Sequence, residues 1–188
     1  MRLFLAVFPP AEVQSVAAQV IERLRRPHDL VSWVKRENLH FTLRFLGELG
    51  ESGAGRAAEA AIGAAADHRA FEVALGVPGA FPSAKRARVL WLGLVHGAEP
   101  LVALARSVEQ ALVRRGFDRA DRSFTAHLTL GRVRDREQDW SERLTGPAPE
   151  PTARFIVERV VVVESTLSPK GSIYRVRAEA PLAPDPET

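Results

Sequence analysis

One stretch of sequence indicates the architecture: Leu39-His40-Phe41-Thr42-Leu43-Arg44-Phe45-Leu46-Gly47. A four-residue motif within it occurs a second time later in the chain. The sequence His-x-Thr-Leu at residues 40–43 is repeated at residues 127–130, again among apolar neighbours. In a β-strand residues i and i+2 face the same side, so each copy presents an imidazole and a hydroxyl on one face. The intervening apolar side chains face a core. We therefore predict one strand at residues 39–46 and another at residues 123–133.

Two strands of this kind, lying side by side, would gather two histidines and two threonines around one cavity. Chance is the first alternative, because short motifs match unrelated sequences by accident. The chain has only 5 histidines, however, and two of them have threonine at the same offset in matching surroundings. The repetition favours two similar lobes that face each other across a cleft.

Length and composition narrow the class of protein. The chain has 188 residues, of which 46% are hydrophobic, which suits one large domain or two small fused lobes. It has no apolar run long enough for a membrane span. The apolar stretch at residues 1–8 is too short for a signal peptide and ends at Pro9-Pro10, so we interpret it as the first strand. Cysteine is absent, which excludes disulfides and thiol nucleophiles and is typical of a cytoplasmic protein.

The charge of the chain does not by itself indicate a nucleic-acid partner. The formal net charge is +3, and arginine supplies 23 of the 26 cationic residues. Arginine suits bidentate contacts with phosphate, but a genome rich in G and C would give the same bias.

Hydrophobic periodicity predicts the other elements. Helices are predicted at residues 11–25, 53–68 and 98–115. Further strands are predicted at residues 2–8, 71–77, 88–95, 155–164 and 173–180, with a short extended piece at 32–35. We expect a loop at 78–86, a short helix near 139–144, a turn at 168–171 and a frayed tail at 181–188. This order predicts an α+β fold of two pseudo-symmetric lobes, each a mostly antiparallel sheet with helices packed outside, around a central cleft.

Two imidazoles on opposite sides of a phosphodiester would supply both the base and the acid that in-line attack on phosphorus needs. A base must act on the nucleophile and an acid on the leaving oxygen, and histidine can do either near neutral pH. One of His40 and His127 would then be neutral and the other protonated; the residues alone do not assign which. Thr42 and Thr129 would donate hydrogen bonds to the non-bridging oxygens of the phosphate.

Two other interpretations of the histidine pair stay open. Two histidines could bind zinc, but a third protein ligand is normally needed, and no carboxylate or histidine lies near either motif at a ligand-like spacing. The pair could also be structural, with each half-buried imidazole bonded to its neighbouring threonine. With two imidazoles as acid and base, the chemistry needs no metal or other cofactor.

The chain resembles the 2H phosphoesterase superfamily, and within it the RNA 2',3'-cyclic phosphodiesterases, also called 2'-5' RNA ligases. The likeness includes the opening Arg2-Leu3-Phe4-Leu5-Ala6-Val7 and both His-x-Thr motifs with their flanks, residues 33–47 and 124–132. It continues through residues 164–174 near the end of the chain.

The resemblance implies one two-lobed domain over residues 1–188 that hydrolyses a 2',3'-cyclic phosphate to a 2'-phosphomonoester. It implies that His40 is the proton donor to the leaving 3'-oxygen and that His127 is the proton acceptor from water. The implied partners are RNA or oligonucleotide ends with a 2',3'-cyclic phosphate and small cyclic nucleotides, with neither a membrane nor a protein partner.

Several further residues are candidates for the site. Arg44, at +4 from His40, should face the cavity of a regular strand and would need a phosphate or an acidic partner. Arg132, at +5 from His127, could reach the phosphate only if Gly131 bends or bulges the strand. Four aromatic residues could stack on a base, although core packing is their commoner role: Phe8, Trp33, Phe45 and Phe81.

Rival functions remain at this stage. The same cavity could act on a small cyclic nucleotide, or could work mainly as a 2'-5' RNA ligase. A module that binds RNA ends without turnover is the alternative outside enzymes, and an intact acid and base in both motifs argue against it.

Overall fold

Two antiparallel sheets and three helices make up residues 1–149 and 153–185, the part of the chain that this computed structural model describes. The strands are β1 (Arg2–Val7), β2 (Val31–Trp33), β3 (Phe41–Glu48), β4 (Phe71–Phe81), β5 (Val89–His96), β6 (Leu128–Val133), β7 (Arg154–Val157), β8 (Arg159–Ser168) and β9 (Gly171–Pro181). The helices are α1 (Ala11–Leu24), α2 (Glu51–Ala66) and α3 (Ala98–Arg114), and short 3-10 turns lie at Arg36–Asn38 and Ala84–Arg86. Within these ranges no helix is both long enough and apolar enough to cross a membrane.

Each sheet contains one of the two motif strands. The four-stranded sheet has the order β3-β1-β8-β9, and the five-stranded sheet has the order β2-β6-β5-β4-β7. Neighbouring strands are antiparallel throughout both sheets. Helix α2 packs against β8 and β9, and α1 contacts β6. The predicted α+β fold of two lobes is therefore confirmed.

Strand β1 is buried on both faces, and this positions the cleft. Leu5 and Val7 belong to a hydrophobic core that joins both sheets and all three helices. Phe4 and Ala6, on the opposite face, form a smaller apolar cluster with two valines of β8. That smaller cluster is the floor on which the first motif histidine lies.

The three predicted helices are confirmed, with ends that shift by one or two residues. The motif strands begin later than predicted, at Phe41 and at Leu128, so His40 and His127 each lie just before a strand. Before β3 the chain forms the 3-10 turn at Arg36–Asn38, and residues 123–127 before β6 have no regular secondary structure.

The predicted loop at 78–86 is wrong in its first half, because β4 continues through Pro78 and Gly79 to Phe81. The pairing with β5 shifts between Leu75 and Pro78, and an irregularity in the ladder of this kind accommodates a residue without an N–H. A Cβ at Gly79 would overlap the indole of Trp91, so glycine is needed where the two strands meet.

The predicted strand at 155–164 is two strands in two sheets. Strand β7 pairs with β4 in the five-stranded sheet, and after Glu158 the chain enters the four-stranded sheet as β8. The break coincides with two adjacent charged and exposed residues, Glu158 and Arg159, which separate the apolar residues of β7 from the valines of β8. The predicted short helix at 139–144 is a single turn, in which the Trp140 carbonyl accepts from Arg143 N and Leu144 N, both at 3.0 Å.

The expected frayed tail is wrong for residues 181–185. Pro181 ends β9, Leu182 is buried, and Ala183 N donates to His68 O at 2.9 Å. The buried Leu182 and backbone hydrogen bonds to Glu158, His68 and Ala70 hold the start of the proline-rich segment against the core. Residues 186–188, the rest of that prediction, lie outside the described residues.

Candidate active site

The first motif strand carries a β-bulge directly after its threonine. Thr42 pairs with Ala6 of β1 and Arg44 pairs with Leu5, so Leu43 has no partner on β1. One extra residue reverses the alternation of faces beyond it. Position +5 from the histidine therefore faces the same side as the threonine, and position +4 does not.

The second motif strand bulges at the equivalent residue. Thr129 pairs with Trp91 of β5 and Gly131 pairs with Leu90, so Leu130 has no partner on β5. The last leucine of both His-x-Thr-Leu sequences is thus the bulged residue. The repeat in sequence is a repeat of local backbone geometry as well.

The bulges decide which flanking residues reach the cleft. Phe45 and Arg132, both at +5, line the cleft. Arg44, at +4, instead places its Nε 2.8 Å from Oε2 of Glu109, and its Nη2 donates to Asp118 O at 2.6 Å. The prediction that Arg44 faces the cavity is wrong, and the bulge that Arg132 required is present.

The cleft itself has a volume of about 550 Å³ and is walled by both sheets. Its walls are formed chiefly by Arg2, Phe4, Val34, Asn38, His40, Thr42, Phe45, Thr129, Arg132, Ser165, Leu167, Ser172 and Tyr174. The lining residues include two arginines and no carboxylate, so the cleft suits an anion.

His40 is held in one orientation by two hydrogen bonds. Its Nδ1 donates to the backbone carbonyl of Asn38 at 2.6 Å, which leaves Nε2 as the nitrogen that gains or loses a proton. Nε2 lies 2.9 Å from Oγ1 of Thr42, within the cleft. The side chain of Asn38 donates in turn to Ser172 O at 2.8 Å, which ties this turn to β9.

Aromatic side chains enclose the His40 ring. It stacks on Phe4 and Phe8, with ring centres at 4.8 and 5.2 Å, and meets Tyr174 edge-on at 5.5 Å. This enclosure removes water from the imidazole, and the loss of solvation disfavours its charged form.

His127 repeats the arrangement just before β6, in the other sheet. Among the described residues, the lining of this cleft includes Thr129 but not His127, whose charge is nevertheless near enough to act on His40. Nδ1 of His127 donates to the backbone carbonyl of Thr125 at 2.7 Å, again two residues earlier, and Phe81 meets its ring edge-on at 5.0 Å. Both neutral histidines therefore have the same tautomer, with the proton on Nδ1 and the lone pair on Nε2.

Burial and neighbouring charge lower the pKa of both histidines. Desolvation is the main cause of a His40 pKa of about 4; the hydrogen bond to Asn38 raises it, and the positive charges of Arg132 and His127 lower it further. For His127 desolvation again lowers the pKa most, Thr125 raises it and Arg132 lowers it. The two imidazoles and Arg132 thus form one electrostatic unit.

The four aromatic candidates differ in their positions. Phe45 lines the cleft with 46% of its surface exposed. Phe8 and Phe81 pack against the rings of the two histidines. Trp33 packs on the core and meets Trp140 edge-on at 5.9 Å, so its predicted role in stacking is wrong.

Eight of the thirteen described residues that line the cleft were not singled out for a role from the sequence, among them Arg2, Asn38 and Tyr174. Arg2 and Tyr174 come from β1 and β9, far along the chain from either motif, and no local pattern links them to it. Asn38 contributes a backbone carbonyl, which every residue has. In the described residues, no three histidine, aspartate or glutamate side chains form a group that could hold a metal ion.

The fold and the paired His-x-Thr sequences define a phosphoesterase of the two-histidine class, the 2H phosphoesterases. The sequence matches the 2'-5' RNA ligase superfamily over residues 11–168, most of its length, and the chain belongs to that family. The resemblance noted from the motifs is thereby confirmed.

Proteins of known name agree with this assignment. The RNA 2',3'-cyclic phosphodiesterase of Thermotoga maritima is 33% identical over 95% of this chain and 94% of its own. That of Archaeoglobus fulgidus is 34% identical over 93% of this chain and 97% of its own. Among solved structures, TT0787 of Thermus thermophilus superposes with a TM-score of 0.81 at 28% identity, over 98% of this chain and 100% of that one. E. coli LigT complexed with 3'-AMP gives 0.78 at 26% identity, over 96% and 97%.

Proposed function

We propose that this protein hydrolyses RNA 2',3'-cyclic phosphate ends to 2'-phosphomonoesters by acid–base catalysis with two histidines and no metal. Relatives that match nearly the whole chain are named RNA 2',3'-cyclic phosphodiesterases. The observation that carries the proposal is the matched pair of imidazoles. In each, Nδ1 donates to the backbone carbonyl two residues earlier, and the charge of Arg132 lowers the pKa of the ring.

The proposed reaction has balanced proton transfers. Nε2 of His127 takes a proton from water as the water oxygen attacks phosphorus, and Nε2 of His40 gives a proton to the 3'-oxygen as its bond to phosphorus breaks. Thr42, Thr129 and Arg132 bind the non-bridging oxygens and stabilise the charge that develops on them. The roles of His40 and His127 follow the family resemblance.

The negative charge of a bound substrate favours the protonated form of His40, which is the form that can act as the acid. His40 is neutral near pH 7 in the free protein, because its pKa is about 4. The negative phosphodiester raises that pKa, since an opposite charge close by favours the imidazolium. Binding of the substrate and protonation of His40 are therefore coupled.

The same cleft supports two related activities. A small cyclic nucleotide carries the reacting group without the RNA chain and would be a substrate, with Phe45 as the side chain that stacks on its base. Joining a cyclic end to a 5'-hydroxyl by a 2'-5' bond is the same displacement with the 5'-hydroxyl in the place of water: His127 takes the proton of the 5'-hydroxyl, and His40 gives a proton to the leaving 3'-oxygen. A location in the cytoplasm stays a prediction from the cysteine-free sequence.

Hydrolysis of 2',3'-cyclic AMP in the presence of EDTA tests the proposal. The expected product is the 2'-monophosphate, at the same rate with and without EDTA. Binding without turnover would make the protein an RNA-end-binding module, and a loss of activity in EDTA would contradict the metal-independent mechanism.

Substitution of each histidine tests the two roles. His40→Ala and His127→Ala should each lower kcat by on the order of a hundredfold or more, because each removes one proton transfer. The exposed His96 gives a matched control, and His96→Ala should keep the wild-type rate. A variant of either motif histidine that retains full activity would remove that residue from the mechanism.

A further inference from the structure

The space around the histidines is electrostatically polarised. A larger groove, of about 800 Å³, adjoins His40 on the side of Phe8 and contains four glutamates: Glu12, Glu37, Glu158 and Glu179. Its two arginines are paired, Arg154 with Glu72 at 2.8 Å and Arg159 with Glu179 at 3.1 Å and Glu158 at 3.6 Å. Four glutamates and two arginines leave the lining of the groove with a net negative charge. This groove would repel the phosphates of an RNA chain.

The other side of His40 is cationic, because Arg2 of β1 lines the cleft there. Its guanidinium carbon lies 5.3 Å from the ring centre of Phe45, so the aromatic ring holds the side chain in the cleft. Among residues 1–149 and 153–185 no carboxylate forms an ion pair with Arg2. Its charge is therefore available to a ligand.

The register of β1 fixes the distance of Arg2 from the reacting group. Arg2 and Phe4 are two residues apart on the same face, which is roughly 7 Å along a strand. The His40 ring lies on Phe4 at 4.8 Å. Arg2 thus stands about one nucleotide away from the place where the cyclic phosphate would lie.

We propose that Arg2 is a second phosphate subsite, which binds the 5'-phosphate of the nucleotide that carries the cyclic end. The inference rests on the proposed function and adds the direction of the substrate: the RNA chain leaves the cleft over Arg2 and Phe45, away from the acidic groove. Arginine suits this role because its planar guanidinium can give a phosphate two parallel hydrogen bonds. The subsite distinguishes an RNA end from a nucleoside 2',3'-cyclic phosphate.

Two substrates that differ only in the 5'-phosphate test the subsite. The wild-type kcat/KM should be roughly tenfold higher for 5'-phosphorylated 2',3'-cyclic AMP than for 2',3'-cyclic AMP, the gain of a charged hydrogen bond. Arg2→Gln should abolish this preference, and Arg2→Lys should keep part of it because the charge remains. The preference should also shrink as the salt concentration rises.

A matched control separates the subsite from general effects of lost charge. Arg56 lies over the ring of Phe117 at 5.1 Å, as Arg2 lies over Phe45, but on helix α2 and outside the cleft. Arg56→Gln should keep the wild-type preference. A wild-type protein without preference, or an Arg2→Gln variant that retains it, would overturn the inference.

Binding measurements make the subsite testable independently of turnover. The wild type should bind adenosine 2',5'-bisphosphate more tightly than 2'-AMP, and Arg2→Gln should bind the two equally. If wild-type protein hydrolyses neither substrate, the proposed function fails, and the binding comparison still decides whether Arg2 holds a 5'-phosphate.

Discussion

A backbone carbonyl gives each motif histidine its chemical role. The carbonyls of Asn38 and Thr125 accept the Nδ1 proton of His40 and His127, so Nε2 is the unprotonated nitrogen in both neutral rings. The sequence predicts which side chains share a face, because a strand has a period of two residues. It does not predict the tautomer, because the accepting groups are main-chain atoms common to all residues.

The lowered pKa values predict an acidic optimum for kcat/KM. This quantity reports the free enzyme, and the active form carries one proton on the histidine pair. Both pKa values lie below 6.5, so the singly protonated form declines as the pH rises above 6.5. A pH–rate profile for 2',3'-cyclic AMP should therefore have its maximum below pH 6.5.

Substitution of Arg132 tests the electrostatic origin of the pH–rate profile. The positive charge of this arginine lowers the pKa of both histidines, so Arg132→Gln should move the whole profile to higher pH in addition to lowering the rate. An optimum well above neutral pH in the wild type, or a profile that Arg132→Gln leaves in place, would contradict the electrostatic unit described above.

The β-bulges are the feature of the strands that sequence periodicity misses. An alternating pattern predicted Arg44 in the cleft and placed Arg132 there only if the strand bulges. The extra leucine in the first strand overturns the prediction for Arg44, and the extra leucine in the second meets the condition for Arg132. Gly131 was a signal for the second bulge, because glycine within a strand often marks one. The first motif strand has Arg44 where the second has Gly131, so its sequence did not predict a bulge.

Gly131→Ala should disturb the second bulge. A Cβ there would lie 2.8 Å from Cγ1 of Val31 and 2.9 Å from Cε3 of Trp33, so the strand must shift and take Arg132 with it. We expect a loss of about 1–3 kcal/mol in the free energy of unfolding, measured in urea, and a lower kcat/KM. Gly55 in α2 has nothing within 4 Å of a Cβ, and Gly55→Ala should instead raise stability by up to about 1 kcal/mol. A Gly131→Ala variant with wild-type stability and activity would contradict the close packing.

Arg44 connects the first motif strand to the segment that leads to the second histidine. Arg44 contacts Glu109 and the carbonyl of Asp118. Oε1 of Glu109 in turn accepts a hydrogen bond from Ala120 N at 2.7 Å, seven residues before His127. Arg44→Ala should lower kcat for 2',3'-cyclic AMP roughly tenfold by releasing this segment, since small misplacements of catalytic groups are costly. Arg44→Lys should recover part of the loss.

A double-mutant cycle distinguishes this link from a general loss of stability. Glu109→Gln should lower kcat as Arg44→Ala does, and the double variant should be little worse than either single one. Arg177 is a matched control, because it pairs with Glu51 at 2.7 Å away from the histidines. An Arg177→Ala variant with the same loss of kcat would contradict a specific effect of Arg44.

The two lobes as a whole were predictable because the repeated motif, the three helices and most of the strands all leave local patterns. The break at Glu158 was not predicted, although the charged and exposed Glu158 and Arg159 interrupt the apolar pattern there, because the sheet that each piece joins is decided by pairing with distant strands. Contacts made by distant parts of the chain, such as Arg2 and Tyr174 in the cleft or Leu182 on the core, also leave no local signal. The motif histidines and threonines could be predicted from a local sequence pattern. The other residues that line the cleft could not, because distant parts of the chain bring them there.

The pKa values of both histidines, followed by NMR with and without 2'-AMP, show whether the two imidazoles share one ligand. If His40 and His127 act on one phosphate, a single bound 2'-AMP should raise both pKa values, because its charge favours both imidazolium forms. A ligand that binds and shifts the pKa of one histidine only, or of neither, would contradict a shared site.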